Sequence, residues 1–532
     1  MPANTAKKQP SQHLDSNQDN PDSIEMLTSR QSNELIIAFC GPIGAGIKSI
    51  RESFQNNLVK MGYEVHHILL SEIMDSISNV TTQIDNPYER YKKRQLQGND
   101  LRNSFSPQIL AEAAISKIKL IKQKIKIGKG EAEDSIFKGK IAYLVDQLKN
   151  PSEVELLRMV YQHNFYLIGV LRSESERKRN LRDETIKPEQ IDELIHLDRK
   201  SGGKHGQQVE KTILDSDLFV KNNHSHRSSI DSKIIRFINI IHGKNGISPT
   251  FKEKGMFVAF SASLQSACLS RQVGAAILDR NGNIISTGRN DVPKFGGGLY
   301  TYEDEENDFR CIHKGGRCYN DLHKNKIKSG ITRELKKEMN KFFEENKIVQ
   351  DETLKQLPLD GLYEKIADEI FDKTPIGSLI EYSRAIHAEM DAITTLARTG
   401  DASTYEKLMF TTTFPCHNCA RHIVAAGIKE VIYIEPYEKS LALDLHDDAI
   451  NDANSSNPEK VSFIQFEGVS PRRYHKFFFA TADRKKTDGK AEEFTTKYKN
   501  HVDIQFLDSY QSIEEKISGN FFKKIKRVEG EI

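Results

Sequence analysis

The sequence predicts an α/β fold, and three observations support this prediction. Short apolar runs such as 34–40 and 141–146 have the length of buried parallel strands. Longer stretches with helical periodicity separate these runs, including a basic segment from about 88 to 127. Strands that alternate with helices are typical of a doubly wound parallel sheet with helices on both faces.

The strands fall into two groups along the chain. The first group consists of four apolar runs, at 34–40, 63–70, 141–146 and 165–171. The second group begins after a helix near Met256 and consists of runs at 273–279, 284–288, 408–412 and 430–434. Asn281 and Gly282 lie between the first two of these runs and predict a tight hairpin, because Asn-Gly readily adopts positive φ.

Four segments are predicted from these groups. Residues 1–33 are polar and are expected to form a disordered tail. A first domain spans 34–245 and ends in a polar stretch near 222–248, and a second domain spans 246–482 with a charged insertion at 300–380. Residues 483–532 form a C-terminal extension without an assigned role.

Composition and charge exclude several classes of protein. The 77 Lys and Arg nearly cancel the 75 Asp and Glu, which gives no support for a protein that clamps long nucleic acid. No apolar run approaches the roughly 18 residues of a membrane span, and the N-terminus has no apolar signal region. Six cysteines in 532 residues indicate metal ligands or buried thiols rather than a disulfide framework, so we expect a cytoplasmic protein.

A glycine-rich loop follows the first strand and precedes a helix, a context in which backbone N–H groups bind phosphate. The candidate nucleotide-binding residues are the three glycines and the polar pair after them, Gly41, Gly44, Gly46, Lys48 and Ser49. Ile47 stands where the P-loop pattern requires Lys, so either Lys48 and Ser49 serve after a one-residue shift or the loop is degenerate. Asp146 ends a strand and is a candidate for orienting Mg²⁺ on a bound nucleotide. The first domain is therefore predicted to be a P-loop NTPase-like, kinase-like nucleotide-binding unit in which efficient phosphoryl transfer is not expected.

The residues that indicate chemistry are His387 and Glu389, followed by Cys416 and Cys419 after Pro415. A catalytic zinc uses three protein ligands, here His387, Cys416 and Cys419, and leaves the fourth position for water. Glu389 lies two residues from His387 and is the candidate acid–base residue. A closed zinc knuckle or a chance Cys pair is the alternative, but it does not account for the acid or the proline. The pattern H-x-E…P-C-x-x-C is the known signature of zinc nucleobase deaminases.

Residues from about 256 to 480 resemble the deoxycytidylate deaminase family, which has the cytidine-deaminase α/β/α fold. Besides the metal motifs, the matching segments are 270–275, 286–293 and 426–431. The resemblance implies that Asn290 contacts the sugar or base and Tyr437 the 5′-phosphate, although Asn290 also suits a simple turn. Arg289 and Asp291 replace the family's Tyr and Gly, which argues against the usual allosteric triphosphate site in that loop.

The resemblance to phage-type members implies a second, structural zinc that pins the insertion to the core. Its ligands would be Cys268, Cys311 and Cys318, completed by His313 or His323. The alternative is three buried or inert cysteines.

Over roughly 34–480 the arrangement resembles the bacterial antiphage cytidine deaminases. That resemblance implies deamination of dCMP and/or dCTP to deoxyuridine nucleotides, which depletes the nucleotide pool during infection. It also implies that a nucleotide regulates the enzyme through the P-loop domain. A small inhibitory RNA partner and a homo-oligomeric assembly are further implications of the same resemblance. The alternatives are a deaminase of RNA or single-stranded DNA, disfavoured because the chain has no Trp for base stacking, and a nucleotide-sensing protein with weak activity, disfavoured by Glu389.

Overall fold

The fold is taken from a computed structural model, which describes residues 31–77, 86–130, 139–199, 205–223, 227–346, 359–437, 439–452, 457–480, 484–492 and 510–529. Most of the predicted tail, residues 1–30, lies outside these ranges. The strands are β1 Leu35–Cys40, β2 Glu64–Leu69, β3 Ile141–Asp146, β4 Phe165–Leu171, β5 Leu218–Lys221, β6 Gly274–Leu278, β7 Ile284–Arg289, β8 Leu408–Thr413, β9 Glu430–Glu435, β10 Ile450–Asp452, β11 Val461–Gln465 and β12 Gly468–Val469.

The α-helices, in chain order, are α1 Ile47–Lys60, α2 Leu70–Ile77, α3 Pro87–Ser104, α4 Ile109–Gly128, α5 Pro151–Tyr161, α6 Glu174–Asp183, α7 Pro188–Arg199, α8 Val209–Leu214, α9 Arg227–Ile241, α10 Phe251–Ser263, α11 Tyr319–Glu345, α12 Leu359–Lys373, α13 Ala388–Thr399, α14 His417–Ala425, α15 Ala442–Leu445, α16 Tyr474–Phe478 and α17 Gln511–Glu529. None of the described helices is long and apolar enough to cross a lipid bilayer.

The first sheet has the order β12-β5-β4-β1-β3-β2, and all its strands except β12 run parallel. All six residues of the central strand β1 are buried. Ile36 and Ala38 face one hydrophobic core and Ile37 and Phe39 face the other, as expected for a strand covered on both sides. The polar stretch at the end of the first predicted domain includes helix α9, whose Phe237 is buried in the second of these cores.

The second sheet has the order β10-β11-β9-β8-β6-β7. Strands β10, β11, β9 and β8 are parallel, whereas β6 runs antiparallel to both β7 and β8. The predicted hairpin between β6 and β7 is confirmed, and Gly282 in its turn has a φ of 84°. The insertion folds as helices α11 and α12, which pack against each other, and α11 contains no buried residue.

The chain joins the two sheets after β11. Strand β11 belongs to the second sheet, whereas β12 begins three residues later and pairs with β5 in the first sheet. The Val469 N–H donates to Glu253 Oε1 at 2.8 Å, and Glu253 also pairs with Arg236 at 2.7 Å. The domain boundary near residue 245 stays a prediction. The chain does not remain on one side of it, because β12 returns to the first sheet.

The C-terminal helix α17 packs against α4 of the first unit. The Lys122 ammonium, which is buried, lies 2.9 Å from Glu514 on α17 and 3.1 Å from Glu34 at the start of β1. Buried charges need partners of opposite sign, so this cluster ties the C-terminal residues to the first sheet.

Candidate active site

His387 caps the N-terminus of α13, one residue before the helix that the sequence predicted to carry it. Helix α13 can approach the sheet closely because Gly288 lies opposite it in β7. A Cβ at Gly288 would lie 2.2 Å from the Ala388 carbonyl oxygen and 2.4 Å from the Ala392 nitrogen. The glycine therefore fixes how near His387 and Glu389 come to the rest of the site.

The two cysteines lie at the start of α14, after β8. Cys416 is the N-cap residue, and its Sγ accepts the Cys419 N–H at 3.4 Å. This turn places both sulfur atoms near the positive end of the helix, where a thiolate is stabilised.

His387 Nδ1 lies 3.3 Å from Cys416 Sγ and 3.4 Å from Cys419 Sγ. In a tetrahedral zinc site, bond lengths of about 2.0 and 2.3 Å place N and S ligands about 3.6 Å apart. Within the described residues, this is the one group of three or more His, Cys, Asp or Glu whose ligand atoms converge in this way, all within 4.8 Å of one another. The donor set and spacing therefore fit three protein ligands of a zinc ion.

The electrostatics of the group favour one thiolate, the form of cysteine that binds a metal. The hydrogen bond between the two thiols is the main cause that lowers the pKa of Cys416 to about 4, and it raises the pKa of Cys419. Glu389 is only 4% exposed, and burial raises the pKa of its carboxyl group. Glu389 Oε2 accepts a hydrogen bond from Cys419 Sγ at 3.4 Å, so the carboxyl group lies directly beside the ligands.

A cavity of about 300 Å³ opens beside these residues, and Asn290 and Tyr437 both line it. Both polar atoms of the Asn290 side chain bond to the backbone, since its Oδ1 accepts the Val273 N–H at 2.6 Å and its Nδ2 donates to the Arg271 carbonyl at 2.7 Å. The Tyr437 ring lies 5.9 Å from the Arg271 guanidinium. Asn290 thus shapes the cavity wall, and Tyr437 lies next to a cation.

Four cationic side chains lie around this cavity, and the sequence analysis did not identify them as site residues: Arg271, Lys324, Arg384 and Lys439. Lys324 comes from α11 of the insertion, which no motif linked to the catalytic centre. Asp291, one of the departures from the family loop, is 1% exposed and accepts the Ala267 N–H at 3.0 Å. Its carboxylate therefore holds the loop together in the folded chain.

The three cysteines of the expected structural zinc, Cys268, Cys311 and Cys318, line the same cavity. Within the described part of the chain, these cysteines do not form a group of converging ligand atoms like that of His387, Cys416 and Cys419. His313 Nε2 lies 3.3 Å from Asp308, and the His323 ring stacks on Tyr382 with centroids 5.2 Å apart. A second zinc stays a prediction.

The glycine-rich loop lies between β1 and α1, where the sequence predicted it. Gly44 and Gly46 have φ of 78° and 73°, which favours glycine at both positions. Ile47 is buried at 3% exposure, whereas Lys48 and Ser49 are exposed and Ser49 Oγ donates to the Gly46 carbonyl at 2.9 Å. Ile47 therefore belongs to the core.

Two residues at this loop were missed by the sequence analysis. The Lys149 ammonium donates to the Gly41 carbonyl at 3.1 Å and lies 2.8 Å from Asp198. Asp198 Oδ2 in turn accepts the Ile43 N–H at 2.6 Å. Asp146, the predicted Mg²⁺ ligand, contacts Arg51. Lys149 thus places a cation at the loop, whereas Ile47, at the position where the P-loop pattern requires Lys, has no charge.

Residues 249–435 match the model of the cytidine and deoxycytidylate deaminase zinc-binding region. The chain is 30% identical over 183 residues to the deoxycytidylate deaminase of Enterobacteria phage T4, a stretch that covers 34% of this chain and 77% of the phage protein. The phage T2 deoxycytidylate deaminase is also 30% identical, with 79% of its length covered. The dCMP deaminase of cyanophage S-TIM5 in apo form aligns with 41% of this chain and 100% of its own at 18% identity, but with a TM-score of only 0.21.

The family model covers the stretch that contributes His387, Glu389, Cys416 and Cys419. The converging side chains of His387, Cys416 and Cys419 fit the zinc-binding region that the description of the family model names. The chain therefore belongs to the cytidine and deoxycytidylate deaminase family and is a zinc-binding deaminase.

Proposed function

We propose that this chain catalyses the zinc-dependent hydrolytic deamination of deoxycytidine nucleotides, dCMP and/or dCTP, to deoxyuridine nucleotides. The observation that carries the proposal is the convergence of His387, Cys416 and Cys419 beside the buried Glu389. The curated phage relatives, which are named deoxycytidylate deaminases, support the choice of substrate.

The residues of the centre divide into metal ligands and a proton-transfer group in this proposal. His387, Cys416 and Cys419 hold the zinc ion, which when bound lowers the pKa of water to near neutrality. Glu389 accepts a proton from the water that attacks C4 of cytosine and delivers it to N3. It then takes the remaining proton of the new C4 hydroxyl group and passes it to the departing amine. The C4–N4 bond then breaks, and ammonia and a uracil base remain. The buried position of Glu389, which raises the pKa of its carboxyl group, suits a group that both accepts and donates protons.

The cations around the cavity bind the phosphate end of the substrate. Arg271 and Tyr437 lie side by side at the cavity, and Lys439 lines it too. Lys324 and Arg384 add charge near the insertion, which supports a triphosphate as well as a monophosphate substrate. Asn290 keeps the backbone at Arg271 and Val273 in place.

The first unit acts as the regulatory part in this proposal. Its glycine-rich loop binds a nucleotide, with or without Mg²⁺ at Asp146, and the β5–β12 pairing connects that unit to the deaminase sheet. The resemblance to antiphage deaminases supports depletion of deoxycytidine nucleotides during infection, an inhibitory RNA partner and a homo-oligomeric assembly.

The substrate is tested by incubating the purified zinc-loaded chain with dCMP, dCTP, CMP and a cytosine-containing oligonucleotide. Ammonia and uracil products are measured with and without a second nucleotide. We expect turnover of the free deoxynucleotides that changes when the second nucleotide is added. Activity on the oligonucleotide alone would assign the substrate to nucleic acid and overturn the proposal.

A further inference from the structure

We propose that the cavity beside the glycine-rich loop holds one nucleoside 5′-phosphate, with its base bound by Gln95 and Arg102 across Gly98. This proposal deepens the regulatory nucleotide site and rests on the proposed function of the first unit. The cavity measures about 520 Å³ and is lined by the loop, by one face of α3 and by the chain after β3. That volume suits one small ligand rather than an extended polymer.

Two buried side chains that line this cavity have unsatisfied hydrogen-bonding atoms. Arg102 is 1% exposed, and its Nε and Nη2 contact Glu153 at 2.8 and 2.7 Å, but its Nη1 has no partner. Gln95 is 6% exposed, and its Nε2 donates to the Leu194 carbonyl at 3.0 Å, but its Oε1 has no partner. Buried polar atoms are nearly always paired, so both atoms point to a ligand.

Gly98 keeps space open between these two side chains. Residues 95, 98 and 102 are spaced three and four apart, so they share one face of α3. A Cβ at Gly98 would lie 3.3 Å from Arg102 Nη1 and 3.6 Å from Met74 Sδ. Glycine inside a helix lowers the stability of the helix relative to alanine. What Gly98 provides in return is the open space beside Arg102 Nη1.

The chemistry of this face matches the edge of a nucleobase. Gln95 Oε1 is a free acceptor and Arg102 Nη1 a free donor, and the edge of a base presents a donor beside an acceptor. Tyr91 and Met74 line the same cavity and offer surface to a planar ring. The oxygens of a phosphate group could accept from Arg102 Nη1 but offer no donor to Gln95 Oε1.

At the glycine-rich loop, the wall of the cavity already binds an anionic group, the carboxylate of Asp198. The Asp198 carboxylate accepts the Ile43 N–H and lies beside the Lys149 ammonium. A phosphate offers the same kind of oxygen to the same N–H and ammonium groups. We therefore place the phosphate of the nucleotide at the loop, beside the Ile43 N–H and Lys149, and its base at Gln95 and Arg102.

The test is calorimetric titration of the full zinc-loaded chain with dTMP, dAMP, dGMP and, as the probe without a base, deoxyribose 5-phosphate. We expect at least one nucleotide to bind about tenfold more tightly than deoxyribose 5-phosphate, which corresponds to about one buried hydrogen-bonded contact. Gly98→Ala should weaken that nucleotide by about tenfold and leave deoxyribose 5-phosphate unchanged.

The matched control is Gly330→Ala in α11, where a Cβ meets nothing within 4 Å and the affinity should not change. Gln95→Met is the second variant and should weaken nucleotide binding without opening a cavity. Thermal unfolding and dCMP turnover are measured on every variant, so that loss of folding or of deaminase activity is distinguished from loss of binding.

Equal affinity for nucleotides and deoxyribose 5-phosphate, or unchanged nucleotide affinity in folded Gly98→Ala, would overturn the base subsite. Absence of dCMP turnover with intact, Gly98-dependent nucleotide binding would instead contradict the proposed deaminase function alone.

Discussion

The catalytic centre and the cavity at the glycine-rich loop differ in how their residues are distributed along the sequence. The candidate zinc ligands and Glu389 come from two short motifs, at 387–389 and 416–419, and each motif lies at a helix N-terminus. The cavity at the glycine-rich loop combines three distant parts of the chain, which are the loop, Gln95 and Arg102 on α3, and Lys149 after β3. Metal chemistry fixes residue types at close spacing, whereas a ligand cavity can draw its contacts from any element that packs nearby.

Loss of a zinc ligand should have the largest effect and would separate the two cavities most clearly. Cys416→Ser should remove one zinc per chain and abolish turnover, because a catalytic zinc requires all three protein ligands. Metal content by elemental analysis and ammonia release measure the two effects.

Cys311→Ser is the companion variant, because Cys311 lines the same cavity without belonging to the converging group. If the predicted structural zinc exists, the parent chain contains two zinc ions and this variant contains one. A parent chain with a single zinc at full occupancy would rule out the second site.

Replacement of the buried acid should have the next largest effect. Glu389→Gln should lower kcat by about two to four orders of magnitude, because proton transfer is lost while the shape is kept. Zinc content should stay the same. Glu406→Gln is the control, since Glu406 lies in an exposed pair with Arg280 at 2.6 Å. A Glu389→Gln enzyme with nearly normal turnover would disprove the proton-transfer role.

The close approach of α13 to β7 is tested by Gly288→Ala. The added Cβ would meet the backbone of Ala388 and Ala392, so we expect the free energy of unfolding to fall by about 1–3 kcal/mol. Turnover should fall as well, because His387 and Glu389 shift with the helix. Chemical denaturation and dCMP kinetics give the two values, and Gly330→Ala serves as the open-space control. Unchanged stability would show that the helix moves freely.

The smallest effect is expected at the phosphate end of the catalytic cavity. Arg271→Gln should raise KM for dCMP about tenfold, the effect of about 1.4 kcal/mol of lost binding energy. It should leave KM for deoxycytidine, which has no phosphate, unchanged. Steady-state kinetics with both substrates measure this difference, and Arg280→Gln on the surface is the control. An equal rise for both substrates would mean that Arg271 acts on the base or sugar.

Much of the fold and the convergence of His387, Cys416 and Cys419 were predictable from local patterns. The apolar runs predicted β1–β4 and β6–β9 but missed β5, β10, β11 and β12, and the Asn281-Gly282 pair predicted the β6–β7 hairpin. The spacing of Cys416 and Cys419 gave the thiol pair, because ligand geometry restricts which residues can precede a helix start.

Long-range features were not predictable in the same way. Strand β12 has only two residues and pairs with a strand about 250 residues earlier, so it leaves no periodic signal. Lys149 and Asp198 reach the glycine-rich loop through tertiary packing. The basic character of Lys324 was visible in the sequence, but its position beside the catalytic cavity depends on how the insertion folds back.

The most direct test of the central proposal is uracil and ammonia formation from dCMP by the zinc-loaded chain, measured beside Glu389→Gln at equal zinc content. We expect equal amounts of the two products from the parent chain and a fall in turnover of about two to four orders of magnitude in the variant. No ammonia from dCMP or dCTP by the parent chain, with zinc bound at His387, Cys416 and Cys419, would contradict it.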